Sequence, residues 1–184
     1  MNTLAKMLND FRSSPLGAIR SWQNSRVTWL IMLVTAISLE STAWFFQYVM
    51  LMDPCEMCVY QRLAVMLLAA AAIVMLIEPG NRFVRGAGYL IWITGALYGL
   101  QAAMKQIGYY GDEGLFLTCK ILPDFPFGLP LYDWWPDMFM PTGFCGQDDW
   151  LFLGQNMAQW MCVIFGIYIL AFVLCIVSLF KKDS

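Results

Sequence analysis

Histidine is absent from all 184 residues. That removes the usual metal ligand and the usual proton shuttle near neutral pH, so acid–base work falls to carboxylates, thiols, arginine, tyrosine or water. Charge is scarce too. Only 13% of residues are Asp, Glu, Lys or Arg, about half the share of a soluble domain. The net charge of −2 argues against nucleic-acid binding. No internal repeat or low-complexity segment occurs. The polar stretch 1–26 has no short apolar core followed by a small-residue cleavage site, so it does not read as a secretory signal.

What is abundant is apolar surface, 60% of residues, gathered into runs. Crossing about 30 Å of hydrocarbon takes about 20 apolar residues. Residues 27–48, 58–77, 86–104 and 157–180 qualify. The expected fold class is therefore an all-α membrane protein, a four-transmembrane-helix bundle forming one domain over 1–184. Its connections 49–57 and 105–156 face the same side, and the bilayer is its first partner. Leu4, Met7, Leu8 and Phe11 have the spacing of a short helix on the membrane surface. Glu40 interrupts the first run, where a carboxyl must find a partner or stay neutral. A neutral Glu bonded to a neighbouring helix is the reading preferred over a proton or cofactor contact. Gly95 and Gly99 form a GxxxG pair that permits close helix packing. Glu78-Pro79-Gly80-Asn81 reads as a turn.

Orientation follows from the basic residues. Lys6, Arg12, Arg20 and Arg26, then Arg82 and Arg85, then Lys181 and Lys182 all fall on one side of a four-span chain. The opposite side holds Lys105 and Lys120 with nine acidic residues. The positive-inside rule places both termini in the cytoplasm, so 49–57 and 105–156 face outward. The 105–156 connection holds five of the eight prolines and seven of the thirteen acidic residues, and so long a loop is usually functional. Its aromatic and apolar stretches 131–136 and 138–140 suit the bilayer interface.

Six cysteines complete the inventory. Cys162 and Cys175 lie in the last run and read as small buried hydrophobes. Cys55, Cys58, Cys119 and Cys145 lie outside or at the edges of the runs, an even set that suggests two disulfides in an oxidising compartment. Cys119 and Cys145 stand 26 apart. A bond closing that loop would constrain the unfolded chain by roughly 3–4 kcal/mol in the entropic picture.

Cys55 and Cys58 are different, a CxxC at a helix mouth. With the helix beginning near Cys58, the amide-rich N-terminus and Arg62 one turn on favour thiolate over thiol at Cys58. Pro54 suits the start, since it cannot sit in a helix interior. Structural zinc usually takes two closely spaced pairs, which Cys119 and Cys145 are not, so a redox role is preferred. No haem, flavin or iron–sulfur motif is visible. The electron acceptor left is a lipid-soluble quinone, ubiquinone or menaquinone, beside Cys58, with Arg62 stabilising developing negative charge. The plain alternative for Arg62 is an interfacial anchor or an ion pair with Glu56 or Asp53.

These motifs together resemble the DsbB family. The resemblance rests on four spans, a CxxC opening the second helix with Tyr60 and Arg62 after it, and the loop pair Cys119 and Cys145. Leu39-Glu40, Ala43-Trp44-Phe45, Phe152-Leu153-Gly154 and Gln159-Trp160 add to it. It implies a quinone-dependent thiol oxidase of the bacterial inner membrane. Cys119 and Cys145 would meet a periplasmic DsbA-like dithiol oxidase through Cys119. Electrons would pass to Cys55 and Cys58, and from Cys58 to a quinone supported by Arg62. Mobility of the loop would let Cys145 reach Cys55. The glycine-rich, acidic stretch 107–116 departs from the family pattern, which leaves room for a dedicated partner. Rival readings are a vitamin K epoxide reductase-like enzyme, whose CxxC comes late in the bundle, and a membrane protein with structural disulfides or a cysteine-bound metal.

Overall fold

A computed structural model describes residues 15–110, 119–120, 122–146 and 150–180. Five longer helices dominate it: α1 (Pro15–Gln23), α2 (Arg26–Tyr48), α3 (Glu56–Ile77), α4 (Arg82–Gly108) and α7 (Met157–Phe180). Two four-residue helices, α5 (Leu131–Trp134) and α6 (Pro136–Phe139), lie in the connection between α4 and α7, with a hairpin pairing Leu151–Phe152 to Gln155–Asn156.

Local chemistry sets the helix ends. The Ser25 hydroxyl accepts from Val27 N–H at 3.3 Å and opens α2. Leu51, at φ 55°, bends the chain away after α2. Asn81 caps α4 by accepting from Phe83 N–H at 2.9 Å, while its amide donates to Glu78 at 3.2 Å and closes the turn. At α7, Asn156 and Gln159 exchange side-chain-to-backbone hydrogen bonds of 2.9 Å each, a capping box built from amides.

Burial shows which helix is central. Twelve residues of α3 are buried, against three of α2 and four of α7. Helix α3 lies between α2 and α4, α7 packs on α4, and α1 packs on α7. The common core runs through Trp29, Leu68, Met75, Trp92 and Phe165. Outward faces of α2 and α7 leave Ile31, Val34, Ile167 and Leu170 half-exposed or more, the surface lipid would cover.

The GxxxG pair serves two partners rather than one. A Cβ on Gly95 would sit 2.9 Å from Leu67 Cβ on α3, and one on Gly99 would overlap the Phe165 ring on α7. Buried Gln23 fastens one end of the bundle. Its amide donates to Cys175 O at 2.9 Å and Ser178 Oγ at 2.6 Å, and its Oε1 accepts from Tyr89 OH at 2.6 Å.

Three of the four expected spans match helices long and apolar enough to cross a membrane: α2, α3 and α7. Helix α4 is long enough, at 27 residues, but is not among them. Its glycines, tyrosines and glutamines lower its hydropathy. It also outruns the expected 86–104 at both ends, because Arg82, Arg85 and Lys105 are accommodated as helix. Leu4, Met7, Leu8 and Phe11, read as a surface helix, lie outside the described residues.

Candidate active site

The stretch 52–55 is extended, and Pro54 bars helix until Cys55. Cys55 itself is the N-cap of α3, its Sγ accepting from Cys58 N–H at 3.3 Å. The helix therefore starts at Glu56, two residues before the expected 58, because a cysteine sulfur takes the capping role usually filled by an oxygen. Cys58 lands in the first turn, where free amides favour negative charge. The two sulfurs are 2.8 Å apart, both as free thiols. Cys55 is buried, and its thiol pKa is pushed up, first by the hydrogen bond with Cys58 and then by burial. Helix amides at Cys58 and Met57 pull the other way without winning.

Arg62 follows one turn on and is buried. Its guanidinium donates to Met138 O at 3.3 Å and Ala43 O at 3.5 Å. The suggested ion pair with Asp53 or Glu56 does not form. Asp53 accepts instead from the Thr142 hydroxyl at 2.9 Å, and Glu56 from Tyr60 OH at 3.1 Å and Lys120 N–H at 2.7 Å.

Beside Cys58 and Arg62 opens a cavity of about 820 Å³, within the range of small-molecule sites. Its wall is mostly apolar, with Phe46 from α2 and Trp160 and Ile164 from α7. Helices α2 and α7 both line it, and Thr35 and Tyr168 join them by a hydroxyl–hydroxyl bond of 2.7 Å. Glu40 also faces this cavity, and both its carboxyl oxygens are buried without a hydrogen-bond partner among the described residues. The preferred reading of Glu40, a hydrogen bond to a neighbouring helix, is thus not what is seen.

Cys119 and Cys145 are bonded to each other, with Cα atoms 5.9 Å apart. Their loop is docked on the CxxC stretch. Thr142 and Gly143 N–H groups both donate to Pro54 O, at 3.0 and 3.1 Å. A Cβ on Gly143 would lie 2.5 Å from Asp53 O, so the close approach demands glycine. Phe125, Met138 and Phe139 are buried against Met57, Val59 and Tyr60, and Cys145 packs on the same cluster as Cys55. Met138 and Phe139, expected at the bilayer interface, turn inward, whereas Trp134 and Trp135 stay exposed. The Glu56 carboxylate and the sulfurs of Cys119 and Cys145 offer ligand atoms within 4.8 Å of one another, but the sulfurs are spent on their mutual bond.

The family model described as disulfide bond formation protein DsbB matches residues 25–175. This chain belongs to the DsbB family. Proteins named Disulfide bond formation protein B are similar to it over most of their length. That of Shewanella amazonensis is 42% identical over 164 residues, covering 89% of this chain and 97% of that protein. That of Shewanella loihica is 40% identical over 162 residues, covering 88% and 95%. That of Psychromonas ingrahamii is 38% identical over 169 residues, covering 92% and 91%.

In this DsbB-family chain the structure brings all four predicted cysteines and Arg62 to one end of α3. Cys162 and Cys175 stay in α7, Cys175 in the core and Cys162 packed against it, and neither lines the cavity. Sequence reasoning missed Gln106. Its buried amide donates to Cys58 Sγ at 3.4 Å and Cys55 Sγ at 3.5 Å, and its Oε1 accepts from Gln61 at 2.6 Å. The clue available was two glutamines inside apolar stretches, but nothing in the sequence joins positions 45 apart.

Proposed function

We propose that this chain is a disulfide:quinone oxidoreductase that reoxidises a periplasmic DsbA-like dithiol oxidase. The observation that carries the reading is the meeting of two cysteine pairs at one helix mouth, one of them bordering a cavity lined by Cys58, Arg62 and Glu40. Family membership and the names of the relatives support it.

Each transfer between pairs is thiolate attack on a disulfide. A partner thiolate attacks Cys119, the Cys119–Cys145 bond breaks, and Cys145 leaves as thiolate. Cys145 attacks Cys55 of an oxidised Cys55–Cys58 pair, and Cys58 leaves as thiolate. The second partner thiol displaces Cys119, which attacks Cys145 and releases Cys55. The partner is then oxidised, Cys119–Cys145 is restored, and Cys55 and Cys58 hold two electrons. Gln106 and the α3 amides stabilise charge on the emerging Cys58 sulfur.

The cavity fits a quinone ring by its size, its apolar wall, and a guanidinium and an unpartnered carboxyl at its polar end. When bound, a quinone would supply a sink for two electrons and two protons. Arg62 offers its positive charge there, Cys58 the reacting sulfur, and Glu40 a carboxyl able to hold a proton. We further read α2, α3, α4 and α7 as four spans of one domain over 1–184. Both termini are then cytoplasmic and the connections 49–57 and 105–156 face the periplasm of a bacterial inner membrane, a placement supported by the basic residues on the opposite side.

The test is quinone consumption by the purified protein in lipid discs, followed by absorbance. Reduced DsbA-like partner should be oxidised one disulfide per quinone lost. No consumption with either ubiquinone or menaquinone analogues would return the chain to a protein with structural disulfides.

A further inference from the structure

Glu56 is 3% exposed, stands between the two CxxC cysteines, and takes no part in the exchange steps. Among the described residues the only ion pair joins Lys120 and Asp124, and Glu56 forms none. Both its oxygens go to neutral donors, Tyr60 OH and the backbone N–H of Lys120. Tyr60 OH in turn accepts from Asp124 N–H at 2.7 Å. Two backbone amides just after Cys119 are therefore held by two side chains one turn apart on α3. The Tyr60 ring adds an edge contact to Phe125, with centroids 5.6 Å apart. Neither Glu56 nor Tyr60 lines the quinone-sized cavity.

We propose that Glu56 and Tyr60 form a docking latch that seats the Cys119 arm of the loop on α3 and thereby presents Cys145 to Cys55. This rests on the two-pair relay above. The chemistry fits a latch rather than a catalytic group. The donors are backbone amides, so the grip acts on the course of the chain and is blind to the side chains at 120 and 124. The carboxylate lies within 4.8 Å of both loop sulfurs, so the anchor sits at the bond that opens. The opposite arm is held separately, by Thr142 and Gly143 on Pro54. With both arms tethered, Cys145 freed by exchange at Cys119 stays beside Cys55. Glu56 and Tyr60 are thus positioning residues for the internal exchange.

The test compares wild type, Glu56→Ala, Glu56→Gln and Tyr60→Phe in lipid discs, with quinone reduction driven either by reduced partner or by dithiothreitol. The dithiothreitol arm is run in a Cys119→Ser/Cys145→Ser background, where only Cys55–Cys58 can be reduced and the loop is bypassed. Tyr60→Phe keeps the ring and its packing. We expect Glu56→Ala and Tyr60→Phe to lower partner-driven kcat about fivefold with partner KM within about twofold, and to leave the dithiothreitol rate unchanged. Glu56→Gln, which keeps an acceptor oxygen, should recover most of the loss. Wild-type partner-driven kcat in both Glu56→Ala and Tyr60→Phe would overturn the latch, as would equal slowing of both routes, or Glu56→Gln as slow as Glu56→Ala. A wild-type protein that reduces no quinone at all would instead overturn the functional reading beneath it.

Discussion

The two cysteine pairs reach the same place by opposite means. Cys55 and Cys58 are three residues apart, and the first turn of α3 fixes their geometry, with Cys55 as cap and Cys58 inside. Cys119 and Cys145 are 26 apart, and their place depends on hydrogen bonds that the loop donates to Pro54, Asp53, Glu56 and Tyr60 and on the inward turn of Phe125, Met138 and Phe139. A pair set by local backbone is held as firmly as its helix. A pair set by long-range contacts depends on each of them, so changing one can slow a relay through that pair while leaving the CxxC itself intact.

Five substitutions bear on that contrast. Cys58→Ser should have the largest effect, removing the sulfur at the cavity and cutting quinone reduction by about a thousandfold whichever dithiol drives it; retained turnover would detach the cavity from the CxxC. Arg62→Ala should raise the quinone KM about tenfold, about 1.4 kcal/mol of binding, while partner KM stays put; identical quinone titrations would remove Arg62 from the cavity's function.

Thiol chemistry of the reduced CxxC should be lopsided. A raised pKa leaves less thiolate at any pH below it, and the hydrogen bond with Cys58 is the first cause at Cys55. Cys55 should resist alkylation near neutral pH, and Cys58→Ala should speed its alkylation about fivefold by removing that cause. Peptide mapping by mass would read both, and fast labelling of Cys55 in the intact pair contradicts the assignment. The smallest effect concerns the scaffold. Gly99→Ala drives a methyl into the fully buried Phe165 ring and should cost about 1–3 kcal/mol, whereas Gly86→Ala meets nothing within 4 Å and should leave the melting temperature in detergent unchanged or raised.

The same division explains how much could be read from the chain alone. The apolar runs give α2 and α7 almost to the residue, because burial in lipid demands unbroken hydrophobicity and Ser25 supplies a conventional cap. Helix α3 starts two residues before the expected 58 because Cys55 caps it, and cysteine is not an ordinary N-cap. Cys55, Cys58 and Arg62 were legible as a site since their relation is one helix turn. Gln61 with Gln106 and Glu56 with Lys120 were not, because they join positions 45 and 64 apart through tertiary packing. Asp53 and Glu56 looked like partners for Arg62 by proximity in sequence, but docking the loop claimed both carboxylates. Glu40 was visible as a buried charge, and only the cavity explains why it lacks a hydrogen-bonding neighbour.

The most direct measurement is steady-state quinone reduction by the Cys119→Ser/Cys145→Ser double variant, driven in turn by dithiothreitol and by reduced partner. A two-pair relay predicts a dithiothreitol rate within about twofold of wild type and a partner-driven rate at background. A double variant that oxidises the partner at the wild-type rate would contradict it.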